Sequence, residues 1–178
     1  MVIAPENNIV MKGQLIRFTP KQILSNPLIF CAVGFGSGLL PKVPGTWGSV
    51  VALILYCLLP LKSLSPWWYI AFIAASFLAG CLFCEAAAKA IGVPDHGSIV
   101  WDEFVGLWLT FFLLPIGWFW LAAGFMLFRC FDIFKPFPIG IIDQKIANGF
   151  GIMLDDLIAG LYALITLQIL NRCVHWLF

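Results

Sequence analysis

Charge is scarce in this chain. Of its 178 residues 11% are Asp, Glu, Lys or Arg, against 62% hydrophobic, and the mean hydropathy is +0.99. Soluble globular domains carry about 25% charged residues, so an ordinary water-facing fold is excluded. A single integral-membrane domain over residues 1–178 is expected, with no room for a separate soluble catalytic module. Histidine is nearly missing. His96 and His175 are the only two, and neither stands with Cys or Glu at zinc-ligand spacing. His96, beside Asp95, is expected to be a loop hydrogen-bonder. No cluster of Lys and Arg marks a nucleic-acid footprint, so nucleic acid is not an expected partner. The polar arm 1–22, with Lys12, Arg17 and Lys21, lacks the apolar core and cleavage pattern of a removable signal peptide, and is expected to be retained on the cytoplasmic side. The cysteines lie almost entirely within apolar runs. Cys81-x-x-Cys84 has no second such pair near it, which favours packing over redox or metal chemistry.

What is abundant is apolar sequence. Bilayer-crossing helices need about 20 such residues, and the runs 46–60, 67–90, 99–115, 118–134 and 152–170 suggest about five spans in an all-α polytopic bundle. Pro27 to Leu40 is too short and glycine-rich for one straight span, so a re-entrant or interfacial segment is expected there. Pro41 to Ser49 follows as a turn-rich loop whose glycines, Gly45 and Gly48, would allow backbone to approach a ligand. It lacks the GK[ST] ending of a Walker loop. Glu85 and Lys89 have the i,i+4 spacing of a helical ion pair.

Cations are asymmetric about these spans. With a cytoplasmic N terminus, Lys12, Arg17, Lys21, Lys42, Lys89, Arg129, Lys135 and Lys145 fall on or near the inner side, leaving Lys62 and Arg172 outside. Trp67, Trp68, Trp118, Trp120 and Trp176 then sit at the far interface, and Trp47 and Trp101 at the near one, as aromatic belts.

Eight of the nine acidic residues lie between 85 and 156. Asp102-Glu103 opens one apolar run and Asp155-Asp156 another. Ionised groups deep in a bilayer cost roughly 2.5–3.5 kcal/mol even on the lenient insertion scale, so each pair marks either a site or a helix start that faces water. Arg129, Asp132 and Lys135 follow at i, i+3 and i+6 along one helix edge that Pro136 stops; this is either a self-neutralising ladder or part of a site. Two carboxylate pairs at one depth repel each other, and a hard divalent cation relieves that repulsion. Carboxylates on one side and Lys42, Arg129 and Lys135 on the other suggest a Mg²⁺–phosphate site.

At GFGSGLLPKVPGTWGSV (34–50), DHGSIVWDEFVG (95–106), FRCFDIFKPFPI (128–139) with Asp143, and GIMLDDLIAG (151–160), the chain resembles the phosphatidylglycerophosphatase A family. It departs from the family pattern at Asn148-Gly149-Phe150, where two glycines are usual, and a left-handed backbone at Asn148 would accommodate the change. The resemblance implies Mg²⁺-dependent hydrolysis of phosphatidylglycerol phosphate at the cytoplasmic face of a bacterial inner membrane, with membrane lipids around the spans. It implies Asp102, Glu103, Asp132, Asp155 and Asp156 for metal binding and catalysis, with Lys42, Gly45, Thr46, Arg129 and Lys135 around the phosphate. Attack by a water activated at the metal and a covalent aspartyl-phosphate are both compatible with this set. The alternative is a small ion-coupled transporter, which requires acidic residues deep within spans and paired inverted halves. The motif of the CDP-alcohol phosphotransferases is missing.

Overall fold

The structure, a computed structural model, describes residues 10–11, 14–15, 18–115 and 117–177. Lys12 and Arg17 of the N-terminal arm, and Ile116 of the expected hairpin, lie outside the described residues. Apart from a two-residue antiparallel pairing of β1 (Val10–Met11) with β2 (Gln14–Leu15), the described chain is helical. The all-α reading therefore holds.

Helix α1 (Pro20–Ser25) opens with a capping box in which Thr19 and Gln22 exchange hydrogen bonds, and α2 (Pro27–Ala32) is capped by Asn26. The Pro27 to Leu40 segment is then broken, as expected, because α2 gives way to a 3-10 turn at Gly34–Leu39 with Phe35 at φ 58°. The long apolar runs follow as α3 (Pro44–Leu58), α4 (Pro66–Ile91), α5 (Trp101–Thr110), α6 (Trp118–Phe134), the short α7 (Ile139–Lys145) and α8 (Gly149–Leu177). Two stretches are long and apolar enough to cross a membrane: Pro66–Ile91 and Gly149–Val174.

The centre of the bundle is α5. Phe104, Val105, Leu107 and Trp108 are buried, and α3, α4, α6 and α8 all pack against it. This helix is shorter than its apolar run, which was expected to continue to Pro115. It stops at Thr110, where the bonds tighten to i→i+3 spacing, Phe111 N to Trp108 O and Phe112 N to Leu109 O, and Leu113 then takes a left-handed backbone at φ 57°. Tyr69 Oη donates to Trp108 O at 2.6 Å, and Gln168 Nε2 donates to Phe112 O at 3.0 Å.

Close approach of α5 to α8 depends on glycine. A Cβ on Gly106 would lie 2.6 Å from Asp156 O, and one on Gly160 would run into the Gly106 carbonyl. Small residues at a helix crossing let backbones pack directly, the usual means of association where lipid removes the hydrophobic driving force. Gly106 follows Asp102, and Gly160 follows Asp156, by one helical turn. The crossing thereby sets the two carboxylate pairs beside each other.

Two aromatic and cysteine readings are refined. Trp67, Trp68, Trp118 and Trp176 are strongly exposed, in keeping with a belt, whereas Trp101 is stacked on Phe104 and donates its indole N–H to Ser76 O. Packing, not the interface, holds it. Cys84 is buried with its sulfur 3.7 Å from Met153 Sδ, and the cysteines are free thiols.

Candidate active site

Chain direction alternates along the helices, so the N-terminal turns of α3, α5 and α8 meet the C-terminal end of α6. Between them lies a cavity of about 150 Å³ lined by Gly45, Asp95, Asp102, Glu103, Asp132, Lys135, Asp155 and Asp156. Segments from all four polar blocks of the sequence converge here, three of them carrying carboxylates. That convergence is a tertiary fact.

Two cations hold part of the acidic set. Arg129 Nη1 lies 2.7 Å from Glu103 Oε2 and 2.6 Å from Asp132 Oδ2, with all three side chains largely buried. The Arg129–Asp132 half of the expected ladder is therefore present, but Lys135 turns away from it. At the C-cap of α6, in the left-handed region, Lys135 places Nζ 2.8 Å from both Asp143 Oδ1 and Asp155 Oδ2. Burial alone would lower the Lys135 pKa, but Asp155 and Asp143 outweigh it and hold the ammonium well above the ordinary lysine range. It stays charged at any physiological pH.

Asp102 and Asp156 have no cation within ion-pair distance among the described residues. Asp102 Oδ1 accepts from the Glu103 N–H at 3.0 Å, while Asp156, 3% exposed, has its Oδ2 without a hydrogen-bond partner among the described residues. Buried carboxylate oxygens are costly to leave unsatisfied, so this end of the cavity is built for a positive ligand or a proton. Among the described residues no three His, Cys, Asp or Glu side chains form a closed metal-holding group. Asp95 is a third lining carboxylate without a lysine or arginine at ion-pair distance among the described residues.

Ser49 is a site residue that the sequence reading passed over. Fully buried one turn after Gly45, its hydroxyl donates to Glu103 Oε2 and accepts from Arg129 Nη1 at 3.3 Å. The signal available was a hydroxyl inside an apolar run, where polar side chains act as interhelical contacts. Gly45 also belongs here, because a Cβ at that position would collide with Glu103 Oε1. Gly38 and Gly48 instead make room for Ser98 and Val100, so they serve packing and not a ligand. Lys42 is exposed and Thr46 half-buried, and neither lines the cavity. The departure at Asn148 also has a different cause from left-handed backbone: its Oδ1 caps α8 by accepting from Gly151 N at 3.0 Å. Glu85 pairs with Lys89 at 3.0 Å, as the spacing predicted, and also accepts from Gly149 N at 2.8 Å, tying α4 to the start of α8.

Removing one partner of a buried pair strands the other. Arg129→Met leaves Glu103 and Asp132 without a cation and is expected to destabilise the fold by roughly 3 kcal/mol. Thermal unfolding of the detergent-solubilised protein checks it, and an unchanged Tm would remove Arg129 from its structural role.

The family model for phosphatidylglycerophosphatase A matches residues 30–171. A phosphatidylglycerophosphatase A of Haemophilus influenzae is 51% identical over 80% of this chain and 87% of its own length. Another, of Escherichia coli, is 42% identical over 99% of this chain and 96% of its own. A putative phosphatidylinositol-3-phosphatase of Bacteroides thetaiotaomicron is 34% identical over 79% and 91% respectively. No solved structure matches the chain.

Proposed function

The chain belongs to the phosphatidylglycerophosphatase A family, and from that premise we propose a lipid phosphatase that hydrolyses phosphatidylglycerol phosphate to phosphatidylglycerol and inorganic phosphate. The observation that carries this reading to particular residues is the cavity in which Asp102, Asp155, Asp156 and Lys135 meet. At about 150 Å³ it is smaller than the roughly 300–1,000 Å³ of sites that enclose a whole ligand, so it suits a phosphate while the rest of the lipid stays outside.

Mg²⁺ fits the free donors. It is usually bound through one or two carboxylates, waters and substrate phosphate instead of an all-protein cage, and the open pair of Asp102 and Asp156, with its unpartnered oxygen, offers that arrangement. When bound it would offset the charge of the phosphoryl oxygens. Glu103, Asp132 and Asp155, the other expected metal ligands, are engaged by Arg129 and Lys135, and we assign them to orienting those cations toward the phosphate. Lys135 attracts the phosphate, and Ser49 and Arg129 fix Glu103. A water placed in line with the scissile P–O bond attacks phosphorus and gives its proton to an aspartate of the cavity, while the ester oxygen leaves and is protonated in turn. A covalent aspartyl-phosphate is the alternative route.

We read the bundle as multi-pass in a bacterial inner membrane, with this cavity facing the cytoplasm. Asp155 and Asn171 lie about 24 Å apart along α8 at 1.5 Å per residue, close to the roughly 30 Å of a hydrocarbon core. The basic residues concentrate at the Asp155 end. A transporter would need its carboxylates deep within the spans, whereas these gather at one end of the bundle.

Phosphate release from phosphatidylglycerol phosphate by the detergent-purified chain is the test, run with Mg²⁺, then with EDTA, and with phosphatidylinositol 3-phosphate as comparison substrate. Release should require Mg²⁺ and favour phosphatidylglycerol phosphate. Equal rates in EDTA would remove the metal from the mechanism, and no release from folded protein would leave the transporter to be tested.

A further inference from the structure

The far end of the bundle holds a second cleft, of about 440 Å³, between the C-terminal ends of α3 and α5 and the N-terminal end of α4. Its size falls within the roughly 300–1,000 Å³ of small-ligand sites. Apolar walls that include Leu64 and Phe112 carry Lys62 and Asn171, beside the tyrosines Tyr56 and Tyr69. Lys62 Nζ is held 5.3 Å from the centre of the Tyr56 ring, and it has no carboxylate within ion-pair distance among the described residues. The acidic residues from 85 to 156 belong to the α4 C-terminal segment and the catalytic end, so the charge at this cleft is wholly positive among the described residues. In the chain, exposed Trp67 and Trp68 directly follow its lining residue Pro66 and exposed Trp118 comes three residues after Pro115, as they would at the interface of a bilayer.

We propose that this cleft is a binding site for an anionic phospholipid of the outer leaflet, with the lipid phosphodiester on Lys62 and its glycerol end toward Asn171. The positive charge without a counter-ion selects an anion, and the apolar walls select one that carries hydrocarbon. A cation–π contact at an exposed site is weaker than a charge-assisted hydrogen bond, so Tyr56 positions Lys62 without competing with a phosphate. The site rests on the reading of the bundle as membrane-spanning but is separate from the catalytic cavity, and Lys62 has no part in the chemistry.

Native mass spectrometry of the full chain from detergent, titrated with phosphatidylserine, an anionic phosphodiester lipid that is neither substrate nor product of the proposed reaction, or with phosphatidylcholine, tests it. Wild type should retain phosphatidylserine in preference to phosphatidylcholine. Lys62→Gln should weaken that retention about tenfold, the equivalent of one charge-assisted contact, and Lys62→Arg should preserve it. Phosphate release measured in parallel should be the same in all three, which reports folding and keeps this inference apart from the catalytic one. Undiminished retention in Lys62→Gln, or equal retention of phosphatidylcholine by wild type, would overturn the proposal.

Discussion

Asp156→Asn is expected to lower kcat by roughly 10²–10⁴-fold, the range for loss of a positioned acid–base group, while leaving Tm unchanged or raised. The opposite signs follow from one observation. Asp156 is 3% exposed, its Oδ2 has no hydrogen-bond partner and no cation reaches it among the described residues. Burying an unpaired carboxylate is unfavourable, so an amide of the same size relieves the fold even as it removes the anion that the proposed chemistry needs. Functional sites commonly carry such a stability cost. The contrast with Arg129→Met is informative, since there the substitution creates an unpaired charge instead of deleting one. Phosphate release and thermal unfolding, measured on the same preparation, decide the matter. Near-normal kcat in Asp156→Asn would remove Asp156 from catalysis, and a large fall in Tm would show that its role is structural.

Gly160→Ala is expected to lower activity about 100-fold, the scale of a 1 Å misplacement of catalytic groups, and to cost roughly 1–3 kcal/mol of stability as overpacking. The added methyl would run into the Gly106 carbonyl, with Gly106 C at 2.9 Å and Cα at 3.0 Å. All of these are backbone atoms, which cannot swing aside as a flexible side chain could. Helices α5 and α8 must therefore separate, and the separation is felt one turn away at Asp102 and Asp156. Gly117→Ala is the control: its φ of 169° suits any residue, and the nearest atom, Trp120 Cδ1, is 3.8 Å away. If Gly160→Ala keeps wild-type kinetics, the helix crossing does not set the carboxylate geometry.

Much of this architecture is legible in local sequence because it rests on local physics. The Glu85–Lys89 and Arg129–Asp132 pairs at helical spacing are of this kind, as is the break between α2 and the glycine-rich turn. Where reading failed, a distant partner was responsible. Tyr69 and Gln168, far away in the chain, bind carbonyls where α5 gives out, and the direction of Lys135 is set by Asp143 and Asp155. Ser49 carried too weak a signal to be found until α3 was laid against α5 and α6.

By itself the sequence determined that this is an apolar, helical, membrane-type chain of the phosphatidylglycerophosphatase A family with its acidic residues gathered in a few blocks. Hydropathy, capping and motif order are properties of neighbouring residues and need no third dimension. Only the tertiary structure decided which carboxylates are already neutralised and which are left open. Pairing depends on which helix ends meet, and that meeting is set by glycine-to-backbone contacts between residues more than fifty positions apart, Gly106 and Gly160.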